Sequence, residues 1–288
     1  MRLVRRLLGD RDARLVLALV VLAAALRFGT LDAKGYWQDE AQTALLLRHG
    51  FLDMLGRLPD LRGAPPLYYL VARGWSALFG TGEVGLRSFS ALLGVAAVPV
   101  AYLSGRELIS GRAGLLAATL VATNPLLVWY GQEARAYAML VVLAGLAFLF
   151  FARALGDGNR RDLWLWAISS VLATATNYFA LFPFLAEAAW LLRAGRLPVP
   201  KRAVRTPLAV AGVLIVSLAL LEGTLASRGA WIQGVSLFSR IVEIPGILLV
   251  GFETPAPYVV AGLAGVLAAV GLWLVVARGS ARERRGAS

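Results

Sequence analysis

The sequence predicts an all-α membrane protein, a polytopic bundle of about eight transmembrane helices forming a single domain over residues 1–288. Three observations carry this. Hydrophobic residues make up 59% of the chain and charged residues only 16%, against roughly 45–50% and 25% in an ordinary soluble domain. Mean hydropathy is +0.70. The basic residues fall in short clusters between apolar runs, the pattern by which multi-span proteins mark their cytoplasmic loops.

The same distribution disposes of other classes. A net charge of +12 would suit a nucleic-acid partner if the cations formed one patch, but they are dispersed, and no such partner is expected. The absence of cysteine excludes disulfides, thiolate metal sites and cysteine nucleophiles. A single histidine, His49, argues against an imidazole-rich metal site or a Ser-His-Asp triad. There is no glycine-rich phosphate loop, and the 30 glycines read as helix packing and loops.

The first apolar run starts at Leu15 and continues past Arg27 to Leu31. Its basic lead is long for a cleavable signal peptide and no A-x-A site follows, so it reads as a retained first span. Further runs are Ser88–Leu103, Ala113–Tyr130, Ala136–Ala152, Leu163–Tyr178, Phe179–Leu192, Pro207–Ala226 and Tyr258–Ala277. Pro65–Gly80 is ambiguous, because it is short and carries Arg73 near its middle. Charge decides. If this segment lies in the interface, as an amphipathic helix can, the clusters Arg2–Arg14, Arg106/Arg112, Arg153–Arg161, Arg193–Arg205 and Arg278–Arg285 all fall inside. Both termini are then cytoplasmic by the positive-inside rule. Residues 32–86 become a first outer loop with juxtamembrane helices. Ile241–Gly251, interrupted by Glu243 and Pro245, is too short to span and reads as re-entrant or interfacial.

Three polar clusters then share the outer face: Asp39 and Glu40 after span one, Arg87 at the head of span two, and Gln132–Tyr137 between spans three and four. Acidic residues at a helix start also serve simply as a solvated cap. Adjacent helical residues point about 100° apart, so one of the two carboxylates faces any reacting group while the other supports it. Glu133 and Arg135 sit against apolar spans, where ionised groups are costly and usually have partners or tasks. The tyrosines and tryptophans near the loops (Tyr36, Trp37, Tyr68, Tyr69, Trp129, Tyr130, Tyr178) read as interfacial belt residues. Glu187 is expected to pair toward the following cytoplasmic loop, and Glu222 has no assigned role.

W-x-D-E after the first span is followed by Pro-Pro-Leu-Tyr-Tyr, by Arg87 opening an Arg-x-x-Ser-Ala segment, and by Asn-Pro-x-x-x-x-Tyr-Gly-Gln-Glu-Ala-Arg-x-Tyr. In this order the motifs resemble the polyprenyl-phosphate-dependent membrane glycosyltransferases of the GT-C superfamily, the branch of protein O-mannosyltransferases and lipid A aminoarabinose transferases. The resemblance runs over about Leu15–Leu192, with a weaker echo at Trp231-Ile232-Gln233 and the last span. It implies a catalytic base at Asp39 with Glu40 beside it, and donor-phosphate contacts from Arg87 and Arg135. Glu133, Gln132 and Tyr137 would support them, together with Asn177 and Tyr178, where relatives often carry a histidine before Tyr-Phe-Ala. The expected activity is inverting transfer of a sugar from a polyprenyl-phosphate donor to a hydroxyl of a lipid, glycan or protein, on the extracytoplasmic face of the plasma membrane. No cofactor is implied with certainty, although Asp39, Glu40 and Glu133 would suit a divalent cation if they converged. Most relatives are longer, so a non-catalytic accessory subunit or lipid carrier stands as the rival reading.

Overall fold

The computed structural model describes residues 11–58, 65–156, 159–193 and 201–223, with 246–249, Gly251 and scattered positions from 259 to 277. The N-terminal cluster through residue 10, Trp231–Gln233, residues 241–245 and 250 of the Ile241–Gly251 stretch, and the basic residues after 277 lie outside the described residues. The last expected span is described only at scattered positions, and the side chain of Glu222 is not described.

No strand occurs among the described residues. The described residues open with α1 (Arg11–Phe28), then a turn-rich connection to α2 (Gln38–Arg48) and the short α3 (Phe51–Arg57). After Pro66 comes α4 (Leu67–Phe79), which stops at Gly80, whose φ of 78° lies in the left-handed region that glycine tolerates best. The longest element follows, α5 (Glu83–Leu108). Then come α6 (Gly111–Thr123), α7 (Pro125–Tyr130), α8 (Tyr137–Leu155) and α9 (Arg160–Thr176). A 3-10 turn at Tyr178–Ala180 leads into α10 (Leu181–Arg193), and α11 covers Lys201–Gly223.

Two of these helices, α5 and α8, are long and apolar enough to cross a membrane. At about 1.5 Å per residue they reach roughly 39 and 28 Å, against about 30 Å of hydrocarbon. The expected third span, Ala113–Tyr130, is not continuous. Asn124 and Pro125 divide it, with the Asn124 side chain accepting from the Leu127 N–H and proline at the first position of the new helix, where its missing N–H costs nothing. The pair expected at Leu163–Tyr178 and Phe179–Leu192 is present as α9 and α10, joined where Asn177 accepts from the Phe179 N–H. At 13 residues, α10 covers only about 20 Å.

α5 lies at the centre, with α1, α4, α6 and α8 packed around it, while α9 joins α8 to α11. The α5–α6 crossing is glycine-dependent: a Cβ on Gly114 would lie 2.4 Å from the Tyr102 carbonyl oxygen. Small residues at such crossings let helix backbones approach closely. Another close fit surrounds Arg27, fully buried near the end of α1. It donates to the carbonyls of Val121 at 2.8 Å and Ala122 at 3.0 Å, at the end of α6, where the helix dipole favours a cation. Gly94 and Gly131 make room for it, since a Cβ at either would come within 3 Å of its side chain. Glu187 does not reach toward the loop after α10. Buried, it accepts instead from the Trp166 indole at 2.7 Å.

Candidate active site

The connection after α1, the start of α2, the head of α5 and the turn between α7 and α8 meet at one end of the bundle. Contacts between Asp39 or Glu40 and the 133–135 turn require that α4 lie alongside them rather than carry the chain to the other end. Its roughly 20 Å length agrees.

Glu40 and Arg87 form the buried part. Glu40 is 1% exposed and Arg87 5%. The guanidinium meets the carboxylate in a forked arrangement, Nε to Oε1 at 2.8 Å and Nη2 to Oε2 at 2.6 Å. It also donates to the carbonyls of Leu31 at 2.8 Å, Lys34 at 2.6 Å and Gly35 at 3.0 Å. Those contacts use all five N–H donors of an arginine. Glu40 Oε1 takes a further bond from the Ala134 N–H at 2.8 Å, and Oε2 one from the Trp37 N–H at 3.4 Å. One carboxylate thus ties α2, α5 and the Gln132–Arg135 turn together. Arg87, expected to hold a donor phosphate, has no N–H left to offer one, because the irregular Leu31–Gly35 backbone has taken them.

Asp39 faces elsewhere, as a 100° step along a helix requires. Its side chain is 30% exposed and pairs with Arg135 Nη2 at 3.3 Å, and the Arg135 side chain is 20% exposed. Tyr137 hydrogen-bonds to Arg135 and stacks near Tyr130, with ring centroids 4.3 Å apart. Burial works against the Arg135 charge, but Tyr69, Asp39 and Tyr137 more than offset it and its pKa is raised. Unlike Arg87, Arg135 retains donors for a ligand.

Glu133 is 8% exposed. Its Oε1 accepts from the Trp129 indole at 2.5 Å, while Oε2 has no hydrogen-bond partner. Burial, helped by the Glu40 charge, pushes its pKa up to about 6, although Trp129, Arg135 and Arg87 pull the other way. It lines a cavity of about 410 Å³ with Lys34, Trp37, Trp129 and Gln132, the Glu40–Arg87 pair forming one wall. Asp39 does not line it. Gln132 is a tether: its amide donates to Thr30 Oγ1 at 2.7 Å and to the Leu26 carbonyl at 2.9 Å, at the end of α1.

Asn177 caps the turn after α9, and neither it nor Tyr178 lines the cavity. Asp39, Glu40 and Glu133 do not converge either, and no group of three His, Asp or Glu fit to hold a metal occurs among the described residues. The carboxylate oxygens of Glu40 are already held by Arg87. The expectation of a divalent cation therefore finds no set of ligands here. Sequence reading missed Lys34, whose ammonium sits 4.8 Å from the centre of the Trp129 ring. An isolated loop lysine carries no signal of such a partner. It missed Arg27 too, where an arginine interrupting an apolar run was itself the signal.

A helical fold of this kind recurs in solved archaeal oligosaccharyltransferases. The Archaeoglobus fulgidus oligosaccharyltransferase in its apo form matches 96% of this chain at 15% identity with a TM-score of 0.53. The archaeal oligosaccharyltransferase AglB from the same organism, in complex with an inhibitory peptide and a dolichol-phosphate, matches 95% at 14% identity with a TM-score of 0.50. The chain spans 38% of the length of each. At these identities the likeness is one of fold. No curated protein sequence matches. The family is given by the model for dolichyl-phosphate-mannose-protein mannosyltransferases, which matches residues 63–223, more than half of the chain. The protein belongs to that family, within the GT-C superfamily. The matched stretch contains Arg87, Gln132–Tyr137, Asn177 and Tyr178, and begins after Asp39 and Glu40.

Proposed function

We propose that the protein transfers a sugar from a polyprenyl-phosphate donor to an acceptor hydroxyl with inversion, on the extracytoplasmic face, as a protein of about eight spans with both termini inside. The observation that carries the catalytic assignment is the division of labour between neighbours. Glu40 is locked by Arg87, whereas Asp39 is partly exposed and shares a guanidinium with solvent. Asp39 is the base that takes the proton as the acceptor oxygen attacks the anomeric carbon. The bond to the phosphate breaks on the opposite face, and the lipid phosphate leaves with the growing negative charge. Arg135 stabilises that charge. Planar, forked donors suit a phosphate, and stabilisation of charge as it develops lowers the barrier. Arg87 acts at one remove, by setting Glu40 and with it the turn that carries Arg135.

Family membership and the oligosaccharyltransferase-like fold support the donor class; the apolar outer faces of the helices support the membrane setting. Transfer of label from a radioactive polyprenyl-phosphate sugar by purified protein in nanodiscs tests the reading. Asp39→Asn should stop transfer with the fold intact. If Asp39→Asn keeps full turnover, the base assignment is lost. The rival reading is an accessory or lipid-carrying role. Co-purified polyprenyl phosphate with no transfer to any acceptor would establish that instead.

A further inference from the structure

The end of the bundle opposite Asp39 and Arg135 takes no part in that reaction. There Asp12 of α1 accepts from the Tyr102 hydroxyl of α5 at 3.1 Å and lies against Gly111 at the start of α6. Glu107, near the end of α5, pairs with Arg153, near the end of α8, at 3.5 Å. Ala154, Leu163, Leu191 and Val204 share one buried cluster, which brings the start of α9, the end of α10 and the start of α11 to the same place. The fold thereby collects cations that the sequence disperses. Arg14, Arg112, Arg160, Arg161, Arg193 and Arg205 are all exposed. None of the six makes an ion pair or a side-chain hydrogen bond among the described residues. The site end is different, for Asp39, Glu40 and Asp53 each hold an arginine.

Guanidiniums gathered at one end repel one another unless an anionic surface faces them. Orientation during insertion does not explain their isolation. Acidic residues contribute little to that rule, so carboxylates could have paired with these arginines without changing it. The neighbours identify the surface. Leu15 and Leu17 follow Arg14, and Leu116 lies one turn beyond Arg112, all exposed. Trp164 lies one turn past Arg160 and Trp190 one turn before Arg193, both exposed as well. Indoles favour the membrane–water boundary. A soluble polyanion would meet the cations and leave these apolar faces in water. We infer that this end is a docking surface for anionic phospholipid headgroups, their phosphates held by the forked donors of the six arginines, with Trp164 and Trp190 at headgroup level. The inference rests on the membrane setting of the proposed function and requires no turnover.

The test is electron spin resonance of spin-labelled phosphatidylglycerol or phosphatidylcholine added to the full chain in phosphatidylcholine vesicles, which reads how much of each lipid the protein holds. Phosphatidylglycerol should be held more strongly, and the preference should disappear at about 1 M salt, where the screening length is about 3 Å. Arg160→Gln/Arg161→Gln/Arg193→Gln should weaken the preference at least about fivefold, the effect of one basic side chain near an anionic surface. Unchanged retention of phosphatidylcholine by that variant shows the bundle intact. Arg48→Gln and Arg57→Gln, at the other end, should leave the preference as it was. A preference that survives the triple variant or high salt overturns the surface, as does one that falls with Arg48→Gln or Arg57→Gln. Displacement of phosphatidylglycerol by oligouridylate also overturns it, assigning the arginines to a soluble polyanion. Phosphatidylcholine and phosphatidylglycerol held equally remove the surface alone, whereas no held lipid of either kind removes the membrane setting as well.

Discussion

Replacing Arg87 by alanine separates two accounts of the most conspicuous arginine in the chain. In the structure the substitution removes a forked ion pair to Glu40 and three bonds to the Leu31, Lys34 and Gly35 carbonyls. It leaves a carboxylate 1% exposed with only the Ala134 and Trp37 amides as donors. Removing one member of a buried pair costs about 3–5 kcal/mol, a large share of the roughly 5–15 kcal/mol that holds a domain folded. That corresponds to a fall in melting temperature on the order of 10 °C. Arg87→Lys keeps the charge but has three donors in place of five, so it should recover only part. The Glu40→Met/Arg87→Met pair should be less damaging than Arg87→Met alone, because no orphaned charge remains. Thermal unfolding in one detergent, followed by tryptophan fluorescence, measures all four. Arg87→Ala with unchanged melting and abolished transfer would refute the reasoning, because it would place the guanidinium on the donor phosphate.

Arg135→Ala should behave in the opposite way, slowing label transfer by about 10²–10³-fold with less than about 1 kcal/mol lost on denaturant unfolding, as expected of a partly exposed pair. Arg135→Lys should restore only part of the rate, since an ammonium lacks the planar fork. Glu133 has a pKa raised to about 6 in the folded protein from an ordinary 4.5. The native state therefore binds the proton more tightly than the unfolded chain, and stability should fall as pH rises from about 4.5 to 6 and then level off. Glu133→Gln should flatten that part of the melting-versus-pH curve. A membrane-impermeant thiol reagent should label Gln38→Cys and Gln132→Cys in intact cells and Gly111→Cys only after permeabilisation. Labelling of the first two from opposite sides would contradict both the topology and their shared end of the bundle.

Much of this site was legible because charge is costly beside apolar helices. Loop charge alone placed Asp39, Arg87 and Arg135 on one face, and in the structure they share one end of the bundle. Which of Asp39 and Glu40 turns inward was not legible, because a 100° rotation acquires meaning only once α5 and the 131–136 turn are in place. The saturation of Arg87 was hidden for a related reason. Three of its partners are backbone carbonyls of Leu31, Lys34 and Gly35, and any residue type supplies a carbonyl. The break at Asn124–Pro125 had a readable signal, an N-cap residue followed by proline, overridden by unbroken hydropathy. The two helices long and apolar enough to cross a membrane, α5 and α8, were readable as apolar runs. Helix ends were not, since caps and tertiary contacts set them and hydropathy does not.

Arg27 bears on how the molecule is put together during synthesis. An arginine within a span raises the cost of inserting that span by up to about 2.5–3.5 kcal/mol. The oxygens that satisfy it belong to Val121 and Ala122, more than ninety positions downstream. In the topology proposed above, α1 waits on α6: its guanidinium stays unmet until the later helix arrives. Gly94, on the α5 segment made in between, must be in place to leave the guanidinium its room. Helix order in the gene and contact order in the bundle are thus linked by one side chain. A chain truncated before Gly111, and so lacking α6, should leave α1 poorly retained in the membrane, even though α1 itself is unchanged.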